Sequence, residues 1–361
     1  MVLAQLGLQI KYFLWNSIEL ILNTWTCQQN SWNFHLLILI CLNLYKFSVW
    51  AHNGLYKLIK LALAKCQLQR SRDSLTVFPM KQVYLDTFGC QMNVADTDRM
   101  ELILFHSGYR RTLEKEDADL ILVNTCSIRE KAEQKTFSLF GGLKPLKMAN
   151  PDLILGLTGC LGQQDGKKLL QRMPYLDFVM GPDQVEGIAQ AVDRVRSASK
   201  SFVWTGFDHE KVYSIPELAG DLPKAPGPSA FVNIIKGCDK FCTFCIVPFT
   251  RGREKSREPA ELFDEVRHLV SRGAKEIILL GQNVNSYGKR GLENPMPFHE
   301  LLYGVAEIPG VERLRFTTSH PNDFTRETIR AYRDLDILMN HLHLPVQSGN
   351  NQVLKAMRRD H

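Results

Sequence analysis

At 361 residues the chain has room for about two domains with sizeable cores. Its 45% hydrophobic and 23% charged content excludes a disordered or fibrous protein, and nine widely spaced cysteines exclude a stapled secreted domain and fit a reducing compartment. The net charge of +6 is no argument for nucleic-acid binding, because residues 1–79 carry most of it, with seven Lys and Arg against the two acids Glu19 and Asp73.

Residues 1–79 stand apart in other ways. Four of the five tryptophans fall there: Trp15, Trp25, Trp32 and Trp50. The apolar run Leu36–Tyr45 is too short for a bilayer, which takes about 20 residues. No basic segment precedes it and no small-residue cleavage site clearly follows, so a secretion signal is weak. Two readings stay open: an interfacial leader, or upstream sequence read in frame and not native to the protein. Met80 then opens the first clean strand, where an intact domain would start.

From Met80 strands and helices alternate. Val83–Leu85 reads as a strand ending in Thr87-Phe88-Gly89-Cys90, followed by a helix over 93–108. Leu120–Val123 is a buried strand ending in Asn124-Thr125-Cys126, with a helix over 128–140. Leu153–Leu157 is a third, ending in Thr158-Gly159-Cys160, with a helix from about Gln163 to Gln171. A fourth strand, Phe178–Gly181, precedes a helix over Val185–Val195. Such alternation with short connections predicts an open parallel sheet covered by helices, an α/β domain over 80–196. Cys90, Cys126 and Cys160 each lie just past a strand's carboxyl end, where open α/β sheets bind ligands. They read as one three-cysteine site; the competing reading is three unrelated buried cysteines.

Pro216, Gly220, Pro223, Pro226, Gly227 and Pro228 mark a linker over 197–230, in which Trp204 could cover a sheet edge. A second alternation begins at Phe231. Strands are expected at Val232–Ile235, Glu276–Leu280, Leu314–Phe316 and His341–Leu344. Helices are expected at Pro259–Arg272, Phe298–Ala306, Asp323–Tyr332 and from about Asn350 to Arg358. These four β/α units predict an incomplete barrel over 231–361, with polar loops on the face where barrel enzymes hold their active sites.

The first of those loops carries Cys238, Cys242 and Cys245 in Cys-x3-Cys-x2-Cys spacing. Iron–sulfur clusters are usually held by four thiolates. Three would leave one iron open, as catalytic zinc sites keep a position for substrate. Structural zinc would want a fourth ligand, and no second pair follows within about thirty residues.

Together these motifs resemble the radical S-adenosylmethionine (SAM) methylthiotransferase family, from Met80 to His361. The resemblance rests on Thr87–Asn93, Asn124–Arg129, Thr158–Cys160, Gly237–Arg253, Gly281–Tyr287 and Leu344–Asn350. It implies a 4Fe-4S cluster on Cys238, Cys242 and Cys245 that binds and cleaves SAM, giving a radical that takes hydrogen from carbon 2 of adenine. It implies a second, auxiliary 4Fe-4S cluster on Cys90, Cys126 and Cys160 that delivers sulfur, and a second SAM that methylates it. Within the family the motifs are most similar to the branch acting on isopentenyl-adenosine next to the anticodon of tRNA. Branches acting on threonylcarbamoyl-adenosine in tRNA or on a ribosomal-protein aspartate are alternatives. A non-enzymatic iron–sulfur sensor or RNA-binding fragment is the alternative of another class. The expected partners are the tRNA anticodon loop and an electron donor such as flavodoxin or ferredoxin, for a cytoplasmic monomer with no stable membrane partner. Phe244 would pack on the cofactor's adenine or simply within its loop. Gln282, Asn283, Ser319 and Gln347 are candidate SAM contacts by strand-end position, whereas His341 and His343 read as barrel-interior residues. Arg251, Arg253, Lys255 and Arg257 are either a solvated segment or phosphate contacts for tRNA. The family barrel has six units and a C-terminal RNA-binding β-barrel, so the chain reads as truncated, with an open sheet edge.

Overall fold

The computed structural model describes residues 80–361 apart from Arg129, Ser199, 209–226 and Asp360. The leader expected over 1–79 and most of the linker lie outside the described residues.

In the first half, strand residues alternate between two cores. Leu120 and Leu122 pack to one face with Met100, Leu104, Ile188 and Val192, while Ile121 and Val123 pack to the other with Phe140, Leu143, Leu161 and Leu169. A sheet buried on both faces leaves no polar side to its strands, which is why Leu120–Val123 is apolar without interruption. Six strands result: β1 (Lys81–Phe88), β2 (Tyr109–Thr112), β3 (Leu120–Thr125), β4 (Ile154–Gly159), β5 (Phe178–Met180) and β6 (Phe202–Trp204). All neighbours run parallel, in the order β2-β1-β3-β4-β5-β6. Helices α1 (Gln91–His106) and α4 (Ile188–Ala198) cover one face; α2 (Glu130–Ala149) and α3 (Cys160–Arg172) cover the other. The chain winds outward in both directions from β1 and β3, so the switch point of this doubly wound sheet lies between them.

The edge strands β2 and β6 are additions to the sequence reading. Both are short, and Tyr109-Arg110-Arg111-Thr112 is charged enough to read as a loop. Each forms because a neighbour already offers an unpaired ladder, Lys81–Tyr84 for β2 and Phe178–Met180 for β6.

The second half repeats the alternation. Strands β7 (Ser229–Asn233), β10 (Glu276–Leu280) and β11 (Arg313–Phe316) form a parallel sheet in the order β11-β10-β7. Ile277 and Leu279 share the outer core with Leu262 and Val266 of α6 (Pro259–Ser271) and Leu301 and Leu302 of α7 (Phe298–Ala306). Their neighbours Ile278 and Leu280 face inward, where they meet Met92 of α1. Helix α8 (Arg326–Asp334) and the short α9 (Asn351–Ala356) follow. A two-residue antiparallel pair, β8 (Ile235–Lys236) with β9 (Lys255–Ser256), closes the base of the cysteine loop.

The fourth barrel strand expected at His341–Leu344 does not form. The chain bridges β11 before that segment, at Leu314 and Leu338, and His343 meets the residues after β11, its carbonyl accepting from the Ser319 N–H and its Nδ1 from the Thr318 N–H. Thr318 has φ of +71°, which bends the chain out of the extended conformation that a continuous ladder needs. His341 and His343 are exposed, not barrel-interior.

Gly156 in β4 is a close-packing position: a Cβ there would lie 2.3 Å from Phe178 and 2.6 Å from Leu122. Both neighbours are fully buried and have nowhere to move. The Gly156→Val protein is expected to lose roughly 1–3 kcal/mol of stability, read as a lower unfolding midpoint.

Candidate active site

The first site is set by strand register. Phe88 pairs with Thr125, and Thr125 with Gly159. Cys90, Cys126 and Cys160 follow these aligned residues within two positions, at the ends of three adjacent strands spaced by about 4.8 Å. Cys90 and Cys126 flank the switch point of the sheet. The Cys126 N–H donates to the Phe88 carbonyl at 2.8 Å, closing the gap between the two loops.

Small residues let the loops approach. A Cβ on Gly89 would stand 2.9 Å from that of Cys126 and 2.6 Å from Asn93 Oδ1. Gly159 has φ of +94°, and a Cβ there would meet Asn124 Oδ1 at 2.3 Å. Below the cysteines is a buried amide brace. Asn93 Nδ2 donates to Asn124 Oδ1 at 2.9 Å, and Asn124 Nδ2 donates to the Asn93 carbonyl at 2.8 Å and to Thr97 at 3.0 Å. Cys90 caps α1 and Cys160 opens α3, so both thiols sit at helix N-termini.

The second site is a loop from Gly237 to Ile246, ending in the single turn α5 (Val247–Thr250). Gly237 has φ of +77°, and a Cβ there would collide with the Arg253 carbonyl at 2.1 Å. Its N–H donates to Gln282 Oε1 at 2.5 Å. The Cys238 N–H donates to the Gly252 carbonyl, and the Cys245 N–H to that of Cys242 at 2.9 Å. Charge pins the rest. Asp239 pairs with Arg253 at 2.6 Å and Arg290 at 3.0 Å. Asp323 holds Lys240 at 2.9 Å and Lys289 at 2.5 Å and accepts from Asn283 Nδ2 at 2.7 Å. Those bonds keep the Asp323 carboxyl below its ordinary range against the opposing pull of burial. Arg359 reaches Cys242 Sγ at 3.6 Å.

All six cysteines are free thiols, and Cys126, Cys160, Cys238 and Cys242 are buried. Burial pushes the Cys238 thiol up to about 12 and that of Cys245 upward, so neither carries charge on its own.

Comparison with known proteins follows the same division. Residues 82–181 match the family model described as "Uncharacterized protein family UPF0004", and residues 232–361 match the Radical SAM superfamily. The chain is 47% identical over 282 residues to the tRNA-2-methylthio-N(6)-dimethylallyladenosine synthase of Roseobacter denitrificans, covering 78% of this chain and 63% of that protein. Proteins of the same name from Chromobacterium violaceum, 47% identical over 285 residues, and Saccharophagus degradans, 44% over 291, are likewise covered to 63% of their length. Across both halves the chain is thus similar to these tRNA-2-methylthio-N(6)-dimethylallyladenosine synthases. It spans a little under two thirds of the length of the curated relatives it matches. Its fold is similar to that of the radical SAM methyltransferase TsrM of Kitasatospora setae, with a TM-score of 0.54 at 13% identity over 77% of this chain and 61% of that one.

Do the triads fit the clusters that the resemblance implies? Among the described residues, no three His, Cys, Asp or Glu side chains converge closely enough to hold one metal ion. A four-iron cluster instead takes one thiolate per iron. Each triad supplies three soft donors and no fourth, and metal ligation removes the proton that burial otherwise keeps on Cys238. The donor chemistry fits.

The other expected SAM contacts divide. Asn283 Oδ1 and Ser319 Oγ are buried and lack hydrogen-bond partners in the protein, as ligand-facing groups would. Gln282 spends its side-chain oxygen on Gly237. Phe244 is exposed on the loop, and Gln347 lies in an exposed turn with φ of +69°. Sequence reasoning assigned no role to Asn93, Asn124 or His320. The first two stand three residues after Cys90 and two before Cys126, a spacing that could have pointed to a brace. His320 Nε2 is buried without a partner, and burial with the nearby Arg359 and Lys240 charges lowers its imidazole to about 4.

The basic stretch is not one solvated run: Arg251 and Arg257 are buried, while Arg253 stays exposed. Arg251 is buried against Asp96, and Arg253 is held by Asp239. Lys255 donates to the Asp208 carbonyl. Arg257, 1% exposed, pairs with Glu265 at 2.6 Å and donates to the Asn233 carbonyl at 3.0 Å. Arg257→Ala strands Glu265 and is expected to cost about 3 kcal/mol, read as a lower denaturant midpoint.

Glu254, between these cations, is buried, which raises its carboxyl to about 7 even with Ser286 in hydrogen-bonding reach. The folded protein therefore binds a proton that the unfolded chain releases near pH 4.5. The resulting stability is fully present below about pH 4.5 and is lost as pH rises through about 7. Relative to Glu254→Gln, the wild-type protein should lose on the order of 3 kcal/mol across that window, measured by denaturant unfolding at each pH.

Proposed function

We propose that the protein is a methylthiotransferase that adds a methylthio group to carbon 2 of isopentenyl-adenosine beside the anticodon of tRNA. The observation that carries this reading is the pairing of two cysteine triads in adjoining halves of one chain, the first at the carboxyl ends of three parallel strands and the second within a single loop. A radical enzyme needs only the second triad; sulfur insertion needs a sulfur source as well. When bound, two 4Fe-4S clusters and SAM supply the radical, the sulfur and the methyl group.

The protein's own residues orient and enclose. Asp239 and Lys240 tie the Cys238–Cys245 loop to Arg253, Arg290 and Asp323. Asn283 and Ser319 offer buried polar atoms to the cofactor. The amide brace of Asn93 and Asn124 holds the start of α1 against the end of β3 beside the auxiliary site. The adenosine would have to leave its loop stack to reach either triad. An electron donor of the flavodoxin or ferredoxin type and a monomeric, cytoplasmic enzyme complete the reading. Among the described residues no helix is long and apolar enough to cross a membrane.

Reconstituted without oxygen, the full chain should hold about eight irons, falling to about four in Cys90→Ala/Cys126→Ala/Cys160→Ala. Incubated with SAM, a reductant and tRNA bearing isopentenyl-adenosine, it should yield the methylthio nucleoside by mass spectrometry. Iron near four that ignores the triple substitution sinks the proposal. Modification of threonylcarbamoyl-adenosine tRNA instead would move the enzyme to that branch.

A further inference from the structure

Helix α9 ends in a turn that carries one cation into the loop of the second triad. Arg358 is left-handed, with φ of +53°, a conformation that glycine usually supplies at a helix end. The Arg358 N–H returns to the Lys355 carbonyl at 3.0 Å and the Arg359 N–H to that of Leu354 at 2.9 Å, which closes the turn. The same helix end meets the cysteine loop. The Thr243 N–H donates to the Met357 carbonyl at 3.2 Å, and Thr243 Oγ1 donates to that of Ala356 at 3.4 Å. Arg359 is thereby buried: its Nη1 donates to Cys242 Sγ at 3.6 Å and its Nη2 to the Pro345 carbonyl at 2.5 Å.

The other cations about this loop are spent on acids, Lys240 on Asp323 and both Arg253 and Arg290 on Asp239. Among the described residues no carboxylate pairs with Arg359, and its Nε is buried without a hydrogen-bond partner. A buried charge is costly unless it is paired. A neutral Cys242 thiol does not balance a guanidinium, whereas a metal-bound thiolate does. The left-handed turn and the unbalanced charge thus point to the same atom, the sulfur of Cys242.

We propose that Arg359 is a positioning residue of the second triad: through its N–H···S bond to Cys242 it places one buried cation against the cluster that Cys238, Cys242 and Cys245 hold, and so raises the electron affinity of that cluster. The inference rests on reading that triad as cluster ligands. A one-electron reduction, with the electron supplied by an added low-potential reductant such as dithionite, adds one negative charge at the site. A cation in a low-dielectric setting stabilises the added charge, and a hydrogen bond to a ligand sulfur acts in the same sense. The second tie, to the Pro345 carbonyl, holds the guanidinium in place before the electron arrives.

The test uses the full chain carrying Cys90→Ala/Cys126→Ala/Cys160→Ala, so that only the second triad can hold iron. It is reconstituted with iron and sulfide, kept free of SAM and titrated with dithionite, with the reduced cluster followed by electron paramagnetic resonance. Arg359→Met removes both the charge and the donor. It should lower the ratio of reduced to oxidised cluster at a fixed potential about tenfold, or ~59 mV for one electron. Arg359→Lys keeps the charge and should stay within about threefold of the parent. An unchanged ratio in Arg359→Met overturns the inference, since a residue that only braces the loop, or only binds SAM, would leave the potential of the SAM-free cluster where it was. An equal fall in Arg359→Lys overturns it too, because charge would then not be the cause. If Arg359→Met takes up no iron, Arg359→Gln against Arg359→Lys decides: the Gln protein should be the harder to reduce, and equal ratios overturn the inference. Absence of iron from the parent would instead overturn the reading of the triad and the inference with it.

Discussion

The placing of Cys90, Cys126 and Cys160 depends on the register of three parallel strands. Phe88, Thr125 and Gly159 stand side by side, and each is followed within two residues by a cysteine. A slip of one residue in any strand would turn its whole apolar set to the wrong face. Here Leu120 and Leu122 fill one core while Ile121 and Val123 fill the other, so burial on both faces locks β3. The cores thus do what the cysteines cannot do for themselves: they bring three distant positions to one edge at a fixed spacing. The amide brace and the small residues Gly89 and Gly159 work at the next scale, letting loops from neighbouring strands touch.

The second triad lies within one loop, so its spacing needs little help from the fold; its conformation does. Phe241 has φ of +47° and Gly237 of +77°, and neither is held by a ladder. The loop is fixed instead by its own charges, Asp239 and Lys240, against cations and an acid from Arg253, Arg290 and Asp323. Asp323 is buried and multiply hydrogen-bonded, which gives those contacts a rigid anchor in a low-dielectric setting. Most of the basic residues beside the cysteines are consumed in this way. The resulting surface offers fewer free cations near the loop than its composition suggests.

Long apolar strands and amphipathic helices were legible from sequence to within a few residues, as with Phe298–Ala306 and Glu276–Leu280. Their periodicity is a local record of burial. Three kinds of feature were not. Edge strands β2 and β6 carry no apolar pattern because their hydrogen bonds come from a neighbour already in place. The segment 341–344 has strand-like alternation, yet the left-handed Thr318 on the adjoining chain denies it a continuous partner. The cations from Arg251 to Arg257 look alike in sequence, and only their acidic partners Asp96, Asp239 and Glu265, distant in the chain or a helical turn or more away, separate buried anchor from surface charge.

By itself the sequence determined the chemistry on offer. Thiol spacing within one loop is a local property, and strand-end placement of Cys90, Cys126 and Cys160 follows from periodicity and turn residues. Tertiary structure alone decided which groups face one another. The Asn93–Asn124 brace, the Asp323 anchor and the Arg251–Asp96 pair join residues 31, 83 and 155 positions apart or at comparable separations. No local pattern encodes such meetings, because they arise only when separate cores have closed and a buried charge or amide must find its partner there.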